Sequence, residues 1–285
     1  MRPRERLTRD PIRMERRNVS IVFVMIDGLG DLTQTDNKTL LQRAHIPAMD
    51  RLARLGHCGL MDPVEPGLAC GSDTAHLSIF GYDPRIYYTG RGAFEAIGAG
   101  AEMYPGDIAF KSNFATMTGD VVSLRRCDRK FPSWGIPLCR FLTENIKLSD
   151  PSVSVIVEWA TEHRCAVILR GKNLTEKITG TDPLKDELSL IRSEPLDDSA
   201  EAARTAQLVN ETSKKITALL ESHELILERK AQGSPYSNVI LLRGPAMMSK
   251  VPSFHDRHGF KAFMIAPTAI ISGIGHTLGM SNLSF

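Results

Sequence analysis

Residues 20–26 (SIVFVMI) constrain this chain more than any other stretch. They form an unbroken apolar run rich in β-branched side chains, with charged residues before it and Asp27-Gly28 directly after. A run without alternation predicts a central strand buried on both faces, as in a parallel sheet. Pro47–Leu55 (PAMDRLARL) then predicts a helix, with proline at its start and Gly56 just beyond its end. Met49, Leu52 and Leu55 recur at helical spacing. A further short apolar segment follows at 58–61, so the chain opens as an α/β layer.

The grammar changes near residue 100. Residues 108–117 and 121–125, joined by Thr118-Gly119-Asp120, predict a β-hairpin. Residues 153–158 and 166–169 predict two more strands. The segment 201–222 predicts a helix with Ala202, Ala206, Val209, Ile216 and Leu220 on one face. Residues 180–200 are polar and contain proline, which predicts a surface loop, and 238–242 and 261–266 again look like strands. The expected organisation is a basic, disordered tail over 1–18 and an α/β portion over 19–100. An inserted α+β region covers 101–245, and the chain returns to the first layer over 246–285.

Charge narrows the function classes. Residues 1–17 carry seven arginines against Glu5, Asp10 and Glu15, a net +4, while the whole chain is only +2. The body is therefore −2, which argues against a nucleic-acid binder. The tail has no apolar run of a secretory signal, and its acids disfavour a mitochondrial presequence. No stretch reaches the ~18 apolar residues of a membrane span. Five cysteines without a C-x-x-C spacing fit free thiols in a reducing cytoplasm.

Two constellations point to chemistry. Asp27 places a carboxylate at the C-terminal end of the predicted first strand, where α/β folds bind ligands. Taken alone, an Asp-Gly after a strand is most often a simple turn. Ser72, in PGLACGSDTAHLSIFGYDP (66–84), precedes a predicted helix over 73–80. Serine is a preferred N-cap, and that is the plain structural alternative. The same position faces unsatisfied N–H groups and the positive end of the helix dipole, which favour a phosphoryl group. A divalent metal would activate the hydroxyl.

These segments and those that follow, IDGLGD, GSDTAHLSIFGYDP, GRGAFEAIGAG, GDIAFKSNFAT, EHRCAVILRGKNLTEKITGTDP, NVILLRG and FKAFMIAPTAIISGIGHTLGM, run in order from about residue 20 to the end. The chain resembles the archaeal-type 2,3-bisphosphoglycerate-independent phosphoglycerate mutases of the alkaline phosphatase superfamily. The resemblance implies an alkaline-phosphatase-like parallel-sheet core, here incomplete, with an inserted α+β substrate domain. It implies interconversion of 3- and 2-phosphoglycerate through a phosphoserine, in a cytoplasmic glycolytic enzyme. By motif, Ser72 is the nucleophile and a metal ligand, and Asp27 is a metal ligand. His163, Arg164, Asp182 and Arg243 bind substrate. Two divalent ions, manganese or magnesium, are implied, with a small-molecule substrate and neither nucleic acid nor membrane as partner.

The family continues past the motif that ends here at Met280, and supplies further Asp and His ligands from that later segment. The expectation is a C-terminally truncated chain with an open sheet edge, an uncovered apolar face and poor solubility, whose own activity is in question. Two alternatives stand beside it: another metal-dependent phosphatase or phosphomutase of the superfamily, and a non-catalytic phosphoglycerate-binding fragment. His255-Asp256-Arg257-His258 reads as a loop rather than a metal site, between Pro252 and Gly259. Residues 273–279 (GIGHTLG) imitate a dinucleotide fingerprint with the last glycine one residue late. Residues 128–134 (DRKFPSW) depart from the family's more basic, glycine-containing segment.

Overall fold

The structure is a computed structural model that describes residues 20–33, 36–128, 132–248 and 250–283. The tail over 1–18 lies outside them. The chain divides into two compact units, 1–60 and 61–285.

The first unit holds helices α1 (Leu40–Arg43) and α2 (Pro47–Leu55). A capping box closes the start of α1: Thr39 Oγ1 accepts from the Gln42 N–H, and Gln42 Oε1 accepts from the Thr39 N–H. The α2 bounds match the expectation. Residues 20–26 do not form the expected strand, and their side chains are largely exposed, Val22 at 84%. Residues 58–61 also form no strand. An apolar run states what a segment would bury; a strand needs neighbours that take up its N–H and C=O groups.

The second unit is built on a mainly antiparallel sheet of β1 (Ile108–Thr118), β2 (Val121–Leu124), β3 (Ser154–Thr161), β4 (Arg164–Arg170), β5 (Leu188–Ser189) and β6 (Val239–Met247). The order is β3-β4-β1-β2-β5, with β6 also paired to β1. The predicted hairpin is β1–β2, and Gly119 turns it at φ +62°. On one sheet face Phe110, Phe114, Val167, Leu169, Ile240 and Leu242 join a core with helices α6 (Pro132–Asn145) and α7 (Ala200–Ser222). The α7 start is capped by Ser199, whose side chain accepts from the Ala202 N–H. Cys127, Cys139 and Cys165 lie in this core as free thiols, and burial pushes Cys127 up to about 12.

The other sheet face carries helix α5 (Arg91–Gly98), packed on β1, β4 and β6. Here glycine is required for close approach. A Cβ on Gly92 would fall 1.9 Å from the Ala109 carbonyl oxygen, so the helix backbone rests directly on β1. On its far side α5 meets α10 (Ala269–Thr277), where Cβ atoms at Gly98 and Gly273 would sit 1.6 and 1.8 Å from carbonyl oxygens of the opposing helix. The GRGAFEAIGAG and GIGHTLG motifs are thus two sides of one helix contact. The parallel pairing expected for the core appears among the described residues only in β7 (Phe263–Met264) with β8 (Ser281–Asn282). Phe263 and Ile265 are exposed, whereas Met264 between them is buried.

Three segments refine the expectations. Residues 255–258 belong to a short helix, α9 (Phe254–His258), rather than a loop. Ser253 caps its start and Gly259 its end, at φ +74°. The 180–200 segment is largely loop but contributes β5 and a bridge between Ile178 and Pro195. The 128–134 departure lies partly outside the described residues; Asp128 pairs with Arg229 at 3.8 Å, and that guanidinium stacks over Trp134.

Candidate active site

Ser72 is the first residue of helix α3 (Ser72–Ile79), one position earlier than expected, with extended Gly71 as the N-cap. The Gly71 carbonyl accepts from the Ala75 N–H at 2.9 Å, so the helix starts at the serine. Its first N–H groups have no partner within the helix, which makes this end electropositive. Asp73, next in the chain, is 2% exposed. Its carboxylate accepts from Tyr88 Oη at 2.5 Å and ion-pairs with Arg91 Nε at 3.0 Å. Burial and the Asp73 carboxylate both push the Tyr88 phenol up. A cavity of about 490 Å³ opens here, lined by Cys70, Gly71, Asp73, Arg85, Tyr88 and Arg91 among others.

The α5-covered sheet face carries cations. Lys111 and Arg243 are register partners across β1–β6, and Asn113 and Arg164 across β1–β4. Lys111 is almost buried and lies 3.5 Å from Glu95 Oε2 on α5. Burial lowers its pKa; Glu95 opposes this, and Arg91, Arg243 and Arg164 add to the lowering. Arg243 is also depressed, first by burial and then, against the help of Asp182, by Arg125, Arg91 and Arg126. Arg91 thus acts on both Lys111 and Arg243. Arg164 and Arg243 keep 34% and 29% of their side chains exposed, so an anion can reach them.

Asp182 organises one edge of this face. Its two oxygens accept from Arg125 Nε and Nη2, both at 2.7 Å, and Arg243 Nε lies 3.8 Å away. Burial alone would raise this carboxyl, but the Arg125 hydrogen bonds, the Leu184 N–H and the two guanidinium charges outweigh it and hold it below the usual carboxylate range. The GTDP motif reaches β6 closely: a Cβ on Gly180 would lie 2.2 Å from the Leu242 carbonyl oxygen. His163 is buried at the entry to β4, where its carbonyl accepts from the Phe114 N–H at 2.8 Å.

Of the residues singled out in sequence, Asp182 and Arg243 are brought together, and Arg164 shares the sheet of Arg243, with His163 beside it. Ser72 belongs to the same unit. Asp27 lies in the other unit, exposed in a turn with Gly28 at φ +72°. Among the described residues no three His, Cys, Asp or Glu side chains gather as a metal-ligand group. Asp27 and Ser72 offer one carboxylate and one hydroxyl, whereas magnesium or manganese favours six oxygen ligands. These two donors alone do not complete a metal site.

Residues 53–225 match the family model of 2,3-bisphosphoglycerate-independent phosphoglycerate mutase. The chain belongs to this family. It is 44% identical over 265 residues to the mutase of that name from Saccharolobus islandicus, covering 92% of this chain and 63% of the relative. The mutase from Methanocorpusculum labreanum is 41% identical, with 65% of that protein covered. Among solved structures, the cofactor-independent phosphoglycerate mutase from Thermoplasma acidophilum superposes with a TM-score of 0.64 at 32% identity, over 90% of this chain and 67% of that one. A protein from Pyrococcus horikoshii gives 0.70 at 28% identity, over 90% and 59%. The chain thus spans somewhat under two-thirds of the length of the curated mutases it matches.

Sequence reasoning missed Arg91, Lys111 and Arg125. Two of them carried a signal. A cation at a helix N-terminus opposes the dipole, so Arg91 implied a specific partner. Lys111 interrupts an otherwise apolar strand, IAFKSNFAT, and a charge there is retained only when paired or used. Arg125, just past β2, gave no local hint; its partner Asp182 is 57 residues away.

Proposed function

We propose that the basic face formed by Arg91, Lys111, Arg164 and Arg243, with Arg125 and Asp182 at its edge, binds phosphoglycerate, and that Ser72 accepts its phosphoryl group. The reading is interconversion of 3- and 2-phosphoglycerate in a cytoplasmic glycolytic mutase. The convergence of these cations on one sheet face carries it. A phosphate monoester brings roughly −1.5 to −2 charge near neutral pH, and the glycerate adds a carboxylate. Arginine suits both groups because its planar fork bonds two oxygens at once. His163 is assigned with Arg164 to substrate, by motif.

In the transfer, the Ser72 hydroxyl gives up its proton and its oxygen forms a bond to phosphorus as the bond to the glycerate oxygen breaks. The glycerate oxygen takes up a proton to leave as a hydroxyl; the return step reverses this proton exchange. The glycerate turns within the basic face, and its other hydroxyl oxygen takes the phosphoryl group back, releasing Ser72. This chain's residues hold the anion, aim the helix end at the phosphoryl group and keep the glycerate bound while it turns. A divalent ion, manganese or magnesium, would supply activation of the hydroxyl when bound; Asp27 and Ser72 are its proposed ligands, with more required than these. We further propose 101–245 as the substrate-gripping part.

Titration calorimetry with 3-phosphoglycerate, with and without manganese, tests this. Binding is expected, and incubation should leave one phosphoryl group on the Ser72 peptide by mass spectrometry and none in Ser72→Ala. The incomplete metal-ligand set favours one second reading, a binding fragment without chemistry. Metal-independent binding with no phosphoserine would select it.

A further inference from the structure

The carboxylate beside the proposed nucleophile links two parts of the molecule. Asp73 is buried, and the entry to α3 is shaped around it: a Cβ on Gly71 would lie 2.4 Å from Asp73 Oδ1. Its partner Arg91 opens α5, the helix seated on β1 and β6. The Cβ position of Gly92 is 1.9 Å from the Ala109 oxygen and 2.8 Å from the Gly244 oxygen, so α5 cannot move toward the sheet. Arg91 also acts electrostatically on Lys111 and Arg243. Its Nη2 would be 3.9 Å from a Gly71 Cβ, over the start of α3, and the side chain is 38% exposed. One guanidinium therefore holds Asp73 through Nε, overhangs the Ser72 helix and belongs to the basic face.

We propose that Asp73 and Arg91 are positioning residues whose ion pair couples an anion on the basic face to the N-terminus of α3, setting Ser72 against the bound phosphoryl group. The proposal rests on the reading of that face as the phosphoglycerate site. Tyr88 Oη donates to the same carboxylate oxygen. The device suits phosphoryl transfer, where a nucleophile misplaced by about 1 Å can cost ~10²-fold in rate. The cation that helps attract the anion also fixes the helix that attacks it.

The test uses the full 285-residue chain with 3-phosphoglycerate as probe. Affinity is read by calorimetry, and amide hydrogen exchange is followed at 72–75. In the unsubstituted chain the ligand should slow exchange there about tenfold. Arg91→Lys keeps the charge but not the planar Nε contact, and Asp73→Asn keeps the shape but not the charge. Asp73→Asn, which removes no group from the basic face, should bind within about threefold of the parent affinity while losing the protection at 72–75 to under about twofold. Arg91→Lys should lose the same protection, read at saturating 3-phosphoglycerate because Arg91 is itself part of that face. Tyr88→Phe, which leaves the ion pair, should retain it. A merely structural ion pair would change stability without separating affinity from this response. If Asp73→Asn does not fold, Arg91→Lys carries the test. Binding variants that remain fully protected overturn the proposal, as does a parent chain that binds with no change at 72–75. A parent chain that does not bind at all instead removes the basic-face reading, and this proposal with it.

Discussion

Asp182 shows how one side chain joins stability to recognition. It is almost fully buried and satisfied by Arg125, and it faces Arg243 across the edge of the basic face. Asp182→Ala would strand a largely buried guanidinium, and loss of one partner of such a pair costs about 3–5 kcal/mol. Denaturant unfolding should report a loss in that range. The carboxyl is held below its unfolded value, so its contribution is complete above the unfolded pKa of about 3.9 and disappears as pH falls through the lower folded value. Acid titration of stability should therefore show a smaller loss below about pH 4 in Asp182→Asn than in the parent. Arg243 is partly exposed and should behave differently. Arg243→Ala is expected to weaken 3-phosphoglycerate binding by about 1.5–3 kcal/mol, the worth of a hydrogen bond to a charged group, with little effect on the unfolding midpoint.

At the scale of elements, the α5–α10 contact is the most sterically specified in the second unit. Gly98 and Gly273 let the two helices touch backbone to backbone, and Phe94, Ile270 and Ile274 close the core around them. Gly98→Ala or Gly273→Ala would place a methyl group inside a carbonyl's radius and force the helices apart. Overpacking of this kind typically costs about 1–3 kcal/mol. Each variant should unfold at a correspondingly lower denaturant concentration, whereas Gly100→Ala, with open space at its Cβ but φ +95°, should lose stability only through backbone strain. Equal effects at all three positions would contradict the close-contact explanation.

At the scale of the whole molecule, apolar side chains that a folded chain normally covers are open. Residues 21–24 and Phe263 and Ile265 are each at least 60% exposed. Exposed apolar patches drive association. Light scattering after size exclusion should show self-association across the micromolar range, and Val22→Lys with Val24→Lys should reduce it. A monomer at every concentration would contradict this. Among the described residues, no helix is long and apolar enough to cross a membrane.

Local patterns in the sequence determined α2, α7, the β1–β2 hairpin, β3 and β4, because each depends on spacing, caps and turn residues a few positions apart. Ordered motifs also pointed to Asp27, Ser72, His163, Arg164, Asp182 and Arg243, though not to the side chains that surround them. Only the tertiary structure showed that Lys111 and Arg243 share a face, that Arg125 is the partner of Asp182, and that Arg91 reaches Asp73. These pairs are set by strand register and by glycine contacts between distant segments, which no local period encodes. The same reason explains residues 20–26: their apolarity is legible in the sequence, but pairing depends on what lies beside them in space.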